Sequence, residues 1–146
     1  MTIILEKKLL FDASSLIYAL KLKCIDILHG NYIQYLTIYE AINAIWKEAY
    51  SIKSLTFEEA KKLTNVIIEV LNYLNMLSIH PYESEVLAKA VETGLTVYDA
   101  SYIVLAKKKN LKLVTEDKEL MRKAHRTIKV TSIRNLIKQK SSSLTS

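Results

Sequence analysis

Apolar residues along the chain fall into short blocks separated by longer stretches with helical spacing. The block Leu9–Phe11 predicts a buried strand, and stretches at 32–36, 77–79, 111–115 and 128–130 predict four more. Between these blocks, apolar residues recur every three or four positions, as on the buried face of a helix. Strands that alternate with helices favour an α/β fold, here a three-layer α/β/α arrangement with a central, mostly parallel sheet.

Polar residues and glycines mark the expected ends of the first and fourth helices. Ser14 or Ser15 is expected to cap a helix that continues to about residue 29, where Gly30 closes it. A later helix is expected over residues 83–93, because Gly94 follows it directly. A last helix is expected over residues 132–138, after the final predicted strand.

Three threonines stand where a helix is expected to begin. Thr37 and Thr56 are each followed three positions later by a glutamate, which is the capping-box spacing. Glu40 and Glu59 are therefore both expected in the first turns of helices. Thr96 stands in the same relation to Asp99, which places that carboxylate at the positive end of another helix.

The length of 146 residues fits one domain. Residues 1–140 are expected to form it, and the polar residues 141–146 are expected to be a disordered tail. No apolar run reaches the roughly 18 residues of a membrane span, and the opening MTIILEKKLL lacks the order of a signal peptide. The single cysteine, Cys24, cannot form an internal disulfide. We therefore expect a cytoplasmic protein without a membrane segment.

Charge is distributed unevenly along the chain, whose net charge is +6. Residues 107–140 hold 12 of the 21 lysines and arginines and only three acids, so this segment carries +9 and the rest −3. Such an imbalance indicates either a polyanionic partner or simply solvated helix faces. With Gly30 and Gly94 as the only glycines, both common glycine-rich nucleotide-binding loops are excluded.

The aspartates are the main candidates for chemistry. Asp12, Asp99 and Asp117 follow predicted strands or begin predicted helices, whereas Asp26 is expected in mid-helix facing solvent. In a parallel sheet, ligands bind beyond the carboxyl ends of the strands, where these residues are expected to meet. Carboxylate oxygens are the ligands that Mg²⁺ prefers. Together with Glu40, the three aspartates predict a divalent-metal site.

Each acid also has a simpler explanation. A capping box accounts for Glu40, the helix dipole for Asp99, and an ordinary helix cap for Asp117. Asp12 is the hardest to explain in this way. A carboxylate directly after the apolar Leu9–Phe11 is costly to bury unless something pairs with it.

Four short motifs resemble the PIN-domain nucleases, and the size and layout resemble the VapC-type toxins of toxin–antitoxin pairs. The motifs are LLFDASSLIYAL with Asp12, LTIYEAINAIW with Glu40, TVYDASYIVLAKKKN with Asp99 and LKLVTEDKEL with Asp117. The resemblance covers residues 9 to about 133, and the last two motifs are its most specific part. Glu116 stands beside Asp117, and the pattern leaves open which of the two faces the site.

The resemblance implies an Mg²⁺- or Mn²⁺-dependent endoribonuclease, the toxin of a toxin–antitoxin system. Its substrate would be single-stranded or loop RNA, its inhibitor a small antitoxin protein, and its assembly a homodimer through helices near 38–50 and 57–75. Asp12, Asp99 and Asp117 would bind the metal, and Glu40 would complete the catalytic set. Ser14 and Thr115 would fix the rotamers of the carboxylates. The residues expected to bind RNA phosphates are Lys107, Lys108, Lys118, Arg122, Lys123 and Arg126.

Three other functions remain open from the sequence. A PIN-like domain without turnover would serve as an RNA- or protein-binding module, although all four acids are present. An RNA-processing nuclease outside toxin–antitoxin systems would share the same site. A phosphotransfer enzyme with Asp12 as nucleophile usually carries a second aspartate two residues later, where this chain has Ser14.

Overall fold

The central feature of the fold is a parallel sheet of very short strands. The computed structural model describes residues 8–145, and the side chains of residues 8–142. Within that range the strands are β1 (Leu9–Phe11), β2 (Tyr32–Gln34), β3 (Asn75–Leu77), β4 (Lys112–Val114) and β5 (Val130–Thr131). They lie in the order β3-β2-β1-β4-β5, and all four pairings are parallel. The predicted α/β class is confirmed.

Helices connect the strands on both sides of the sheet. In the described residues they are α1 (Ala13–Lys21), α2 (Tyr35–Trp46), α3 (Phe57–Val70), α4 (Glu83–Thr93), α5 (Val97–Lys109), α6 (Lys118–Ala124) and α7 (Ile133–Thr145). A π-helical turn, Lys47–Ser51, continues α2, and 3₁₀ turns at Ile25–Ile27 and Leu71–Tyr73 follow α1 and α3.

Two apolar clusters, one on each face of the sheet, make the three layers. Phe11 and Val114 point to the first cluster, where they pack with α1, α2, α3 and α7. Leu10 and Leu113 point to the second cluster, which α5 and α6 cover. Side chains alternate between the two faces of a strand, so the central strand β1, Leu9–Phe11, is apolar throughout because both of its faces are covered.

The first helix differs from the prediction at both ends. Its N-cap is Asp12, whose Oδ1 accepts a hydrogen bond from the backbone N–H of Ser15 at 2.9 Å, so neither serine caps it. It ends at Lys21 rather than near residue 29, because Lys23 has a φ of 57° that no α-helix accommodates. Gly30, with a φ of 79°, lies in the turn that follows the 3₁₀ segment Ile25–Ile27.

The capping box expected at Thr37 and Glu40 is wrong, because the helix begins earlier. Gln34 is the N-cap of α2, and the Thr37 hydroxyl accepts from the Gln34 backbone N–H at 3.2 Å. Glu40 therefore lies in the second turn, and its carboxylate is not needed as a cap. The capping box at Thr56 and Glu59 is confirmed by both of its hydrogen bonds, each 3.1 Å long.

The last helix is longer than predicted. It runs from Ile133 to Thr145, which includes most of the segment expected to be a polar tail. The predicted helix at residues 83–93 is confirmed, and Gly94 ends it with a φ of 73°. Between residues 8 and 145, no helix is both long enough and apolar enough to cross a lipid bilayer.

Candidate functional site

The candidate site lies at the carboxyl edge of the sheet. Asp12 directly follows β1, and its backbone N–H donates to the Val114 carbonyl at the end of β4 at 3.2 Å. Glu40 lies on α2, which begins directly after β2. Asp117 lies beyond β4 and begins α6, and Asp99 lies in the first turn of α5. The topology therefore brings four separate chain segments to one edge.

Asp12 is the most enclosed of the four acids, with only 6% of its surface exposed. Its Oδ1 accepts from the Ser14 hydroxyl at 2.8 Å and from the Ser15 backbone. Its Oδ2 accepts a short hydrogen bond from the hydroxyl of Thr115. These contacts fix the rotamer of the Asp12 carboxylate, and they place Ser14 and Thr115 where the sequence expected carboxylate-orienting donors.

The same two hydroxyls tie Asp12 to the loop that carries Asp117. The Thr115 hydroxyl accepts from the Asp117 backbone N–H at 3.0 Å, and the Ser14 hydroxyl accepts from the Glu116 backbone N–H at 3.0 Å. The side chains of Asp12 and Ser14, at the start of α1, thus hold the segment after β4 in place. The position of Asp117 relative to Asp12 depends on these bridges.

Glu40 is held by a buried tyrosine. The Tyr102 hydroxyl donates to Glu40 Oε1 at 2.7 Å and lies 2.8 Å from the hydroxyl of Thr37. Tyr102 is 1% exposed, and burial and the charge of Glu40 both raise the pKa of its hydroxyl, which therefore stays protonated and donates. A second buried link joins α2 to α5, since Gln34 Nε2 donates to the Ser101 hydroxyl at 2.7 Å.

The two acids after β4 have different roles. Glu116 Oε1 accepts from the Ile133 backbone N–H at 2.7 Å, so this carboxylate caps α7 rather than facing the site. Asp117 is exposed, and its Oδ1 accepts from the Leu120 backbone N–H at 3.0 Å as the N-cap of α6. Asp99 is partly buried, and its own backbone N–H donates to the Thr96 hydroxyl at 3.2 Å.

Three of the carboxyls have raised pKa values. Burial raises the pKa of Asp12, against the hydrogen bonds from Thr115, Ser15 and Ser14 that lower it. Burial also raises the pKa of Glu40 above its usual range; the hydrogen bond from Tyr102 opposes this rise, and the charges of Asp99 and Asp12 add to it. For Asp99 the causes are burial, then the charges of Asp117, Asp12 and Glu119.

These mutual effects show that the four acids share one electrostatic field. The ion pairs described between residues 8 and 142 include none of the four. Their negative charge is therefore not balanced by a neighbouring lysine or arginine. A set of carboxylate oxygens without a cationic side chain is the donor chemistry that suits Mg²⁺ or Mn²⁺.

The side chains are not arranged as a closed metal cage. Among the described residues, no three Asp, Glu, His or Cys side chains are close enough, as they stand, to hold one ion. The donor set therefore fits a hard cation by chemistry and charge, with Asp12 fixed by its hydrogen bonds and Asp117 at the exposed rim.

The six basic residues expected to bind RNA do not lie on one surface. Lys118 begins α6 next to Asp117, with Arg122 in the last turn of the same helix. Lys108 pairs with Glu85 at 2.9 Å, and Lys123 pairs with Glu119 at 3.1 Å. The other two, Lys107 and Arg126, line cavities at the opposite edge of the sheet.

Tyr102 is the residue whose site contact the sequence did not reveal. In the pattern Tyr-Asp-Ala-Ser-Tyr, a tyrosine three positions after Asp99 lies on a predicted helix, where core packing is the ordinary explanation for it. A signal was present in its chemistry, because a buried tyrosine hydroxyl needs a hydrogen-bond partner. That partner lies on α2, 62 residues away in sequence, and the fold alone brings it near.

Comparisons with known proteins agree with this geometry. The family model described as PIN domain matches residues 9–126. Two curated proteins of Pyrobaculum aerophilum are similar: "Exonuclease VapC9", 43% identical over 69% of this chain and 72% of its own length, and "Ribonuclease VapC3", 38% identical over 60% of this chain and 66% of its own length. The chain thus spans about two thirds to three quarters of these relatives.

Solved structures show the same fold. The crystal structure of PAE2754 from Pyrobaculum aerophilum superposes with a TM-score of 0.75 at 37% identity, covering 92% of this chain and 97% of that one. The structure of FitAB bound to a DNA fragment superposes with a TM-score of 0.56 at 15% identity, covering 85% of this chain and 94% of that one, and supports the fold alone. The family match, the two curated relatives and the carboxylate edge of the parallel sheet agree: the chain belongs to the PIN-domain family.

Proposed function

We propose that this PIN-domain protein is a divalent-metal-dependent endoribonuclease and the toxin of a toxin–antitoxin pair. The observation that carries the proposal is the field of four acids at one sheet edge. The charges of Asp12, Asp99 and Asp117 raise the pKa of neighbouring carboxyls, and no described ion pair balances them. The names of the two curated relatives, an exonuclease and a ribonuclease, support a nuclease rather than a binding module.

Asp12, Asp99 and Asp117 are the residues that would hold Mg²⁺ or Mn²⁺. When bound, such an ion lowers the pKa of a water and neutralises charge on a phosphodiester. Asp12 is preset for this role, because Ser14 and Thr115 restrict its carboxylate to one orientation. A preset ligand loses less conformational entropy on binding than a free one.

Glu40 would act on the attacking water. Its carboxyl has a raised pKa, which brings it closer to neutral pH and makes it a better proton acceptor than an ordinary glutamate. The hydroxyl of Tyr102 occupies Oε1 and fixes the side chain, which leaves Oε2 for the water. Lys118, exposed next to Asp117, would contact a phosphate of the substrate.

Cleavage of single-stranded RNA by the purified chain tests the proposal. With Mg²⁺ or Mn²⁺ the parent should cut, and EDTA should stop it. Asp12→Asn should abolish cutting while the fold persists. The matched control is Asp26→Asn, because Asp26 is the remaining aspartate and forms a surface ion pair with Lys140. Equal cutting by Asp12→Asn and the parent would remove the metal-site assignment.

One of the two relatives is named an exonuclease, so the test RNA must distinguish cleavage from a chain end from internal cleavage. A circularised RNA has no end, and an endonuclease opens it whereas an exonuclease leaves it intact. We expect opening of the circle. An intact circle beside a degraded linear control would place the chain with the exonucleases.

The partners are part of the same proposal. A small antitoxin would cover the acidic edge, and both proteins would act in the cytoplasm.

A homodimer would form through the helices expected for it. One of them, α2, exposes a largely apolar stripe, where Tyr39, Ile42 and Trp46 line an open cavity of 440 Å³. Trp46→Glu places a charge in that stripe and should lower the mass measured by light scattering from dimer to monomer; an unchanged mass would exclude this face.

A further inference from the structure

A buried polar link joins the chain segments that carry Asp99 and Glu40. Gln34 is the last residue of β2 and the N-cap of α2, and its Nε2 donates to the Ser101 hydroxyl on α5 at 2.7 Å. The Ser101 hydroxyl donates in turn to the Tyr98 carbonyl at 2.5 Å. A side chain at the end of β2 is thus connected to the backbone of the residue directly before Asp99.

The direction of both hydrogen bonds follows from the groups involved. A backbone carbonyl only accepts, so the single hydroxyl proton of Ser101 is used by Tyr98. The Ser101 oxygen must then accept from Gln34, whose amide nitrogen only donates. Gln34 is 3% exposed and Ser101 2%, so water has little access to the contact between them.

Core packing alone does not require a polar pair at this place. A buried polar pair must satisfy its own hydrogen bonds, and apolar side chains of similar size would fill the space without that condition. A fully satisfied buried network instead fixes one arrangement of the elements that it joins. Here those elements are α2 with Glu40 and α5 with Asp99, so the link bears on their relative position.

The first turn of α5 has few apolar contacts of its own. Residues 96–98 are exposed and Asp99 is only partly buried, whereas residues 100–106 are all buried. Segments with few buried apolar contacts open locally more easily than the core of a fold. The link from Gln34 therefore acts on the part of α5 that apolar packing restrains least.

The neighbouring residue on α5 acts on the other acid. The Tyr102 hydroxyl donates to Glu40 Oε1 at 2.7 Å, so Ser101 and Tyr102 reach the two acids by separate contacts. Tyr102 fixes the side chain of Glu40, whereas Ser101 fixes the backbone next to Asp99. Each contact crosses from α5 to α2 or to its cap, and the two together hold one helix against the other.

We infer that Gln34 is a positioning residue, which restricts the Asp99 turn of α5 relative to Glu40 before a divalent ion binds. The inference rests on the proposed metal-dependent function, in which Asp99 is a metal ligand. Gln34 is buried, so it acts through Ser101 and not on the metal or RNA. Restricting a ligand before binding lowers the entropy that binding costs, so loss of the link should weaken metal binding.

Mn²⁺ binding without RNA tests the link directly. Free Mn²⁺ is measured by electron paramagnetic resonance while the ion is titrated into the full chain. Gln34→Met has a side chain of similar length that cannot donate, and it should weaken Mn²⁺ binding about tenfold. Gln34 is also the N-cap of α2, so the second variant is Ser101→Ala, which leaves that cap in place and should have the same effect.

A double variant and a control separate positioning from stability. Gln34→Met/Ser101→Ala should weaken Mn²⁺ binding about tenfold, as each single change does, because both remove the same link; independent effects would multiply to about a hundredfold. The control is Thr64→Val, which removes a hydrogen bond of 2.9 Å to the Ala60 carbonyl within α3. It should leave the Mn²⁺ affinity of the folded protein unchanged, whatever its effect on urea unfolding.

Turnover at saturating Mn²⁺ provides a second readout. Per folded molecule, kcat for RNA cleavage should fall in Gln34→Met and in Ser101→Ala while KM for RNA stays unchanged. The reason is that the groups acting in the transition state are displaced, whereas those that hold RNA are not. A purely structural role for the link would lower stability without this change in kcat.

The possible outcomes distinguish this inference from the ribonuclease proposal. If the parent cuts RNA while Gln34→Met and Ser101→Ala bind Mn²⁺ as tightly as Thr64→Val does, the inference is overturned and the ribonuclease remains. If the parent binds Mn²⁺ but never cuts RNA, the ribonuclease proposal is removed, and weaker binding by the two link variants still supports the positioning role. A parent that neither binds Mn²⁺ nor cuts RNA removes both.

Discussion

Replacing Tyr102 with phenylalanine tests how the fold positions Glu40. The change removes one oxygen from a fully buried ring, so packing is nearly unchanged. The hydrogen bond to Glu40 Oε1, 2.7 Å long, is lost, and so is the 2.8 Å contact with the Thr37 hydroxyl, which is common to both backgrounds compared below. A hydrogen bond to a charged group contributes about 1.5–3 kcal/mol. Glu40 is partly solvated, so water replaces part of this contact and the lower half, about 1.5–2 kcal/mol, is expected.

The assay is thermal and urea unfolding in EDTA, in two backgrounds. At this chain length, the expected loss lowers the melting temperature by about 3–8 °C. In a Glu40→Gln background the acceptor is neutral, and the same Tyr102→Phe change should cost only about 0.5–1 kcal/mol. The coupling between the two changes is therefore about 1 kcal/mol. The control is Tyr50→Phe, because Tyr50 is 71% exposed and the change should cost less than about 0.5 kcal/mol.

Activity provides a second readout that simple destabilisation would not change. The Tyr102 hydroxyl lowers the pKa of Glu40, so its removal should raise that pKa and move the acid limb of the pH–rate profile to higher pH. We expect kcat to fall more than KM rises. Equal stability costs in both Glu40 backgrounds, together with an unmoved acid limb, would falsify the assignment of Tyr102 as the residue that positions Glu40.

Three further predictions concern the acids and one helix cap. Because burial holds the folded-state pKa of Asp12 above its usual 3.8, the metal-free fold loses stability as pH rises from about 4 through that raised value. In urea unfolding in EDTA, the uncharged Asp12→Asn variant should gain stability relative to the parent at neutral pH, and this gain should shrink on acidification. A difference in unfolding free energy that does not change with pH would contradict this. Glu116→Gln should retain RNA cleavage because Glu116 caps α7, whereas Asp117→Asn should lose it, and the opposite result would exchange their roles. Thr56→Ala removes the α3 cap and should cost about 1 kcal/mol in urea unfolding without changing cleavage per folded molecule.

The sequence predicted the architecture because its apolar blocks are short and distinct, but it misjudged how early one helix starts. The strand expected over residues 32–36 ends at Gln34, and Tyr35 is already helical. Thr37 therefore falls inside the helix, and its hydroxyl bonds back to Gln34 rather than starting a box with Glu40. Propensity does not distinguish a threonine at the cap from one three positions later, because both hydroxyls bond to backbone N–H groups.

The site was predictable to different degrees for its acids and its bases. The acids follow strands or begin helices. In a parallel sheet, the ends of the strands and the starts of the helices that follow them lie at the same edge, so the acids are expected there. The basic residues were grouped by nearness in sequence to Asp99 and Asp117, which does not determine the edge. Lys107 is eight residues after Asp99 on one helix, yet it lies at the other edge of the sheet.

The helix α5 joins these two edges and sets the distance between them. Asp99 lies in its first turn and Lys107 in its last, and eight residues at 1.5 Å each separate them by about 12 Å along the axis. The residues between them, 100–106, are all buried, so the helix cannot bend or slide as a surface helix can. A displacement of α5 would therefore move Asp99 and Tyr102, which holds Glu40, as one unit.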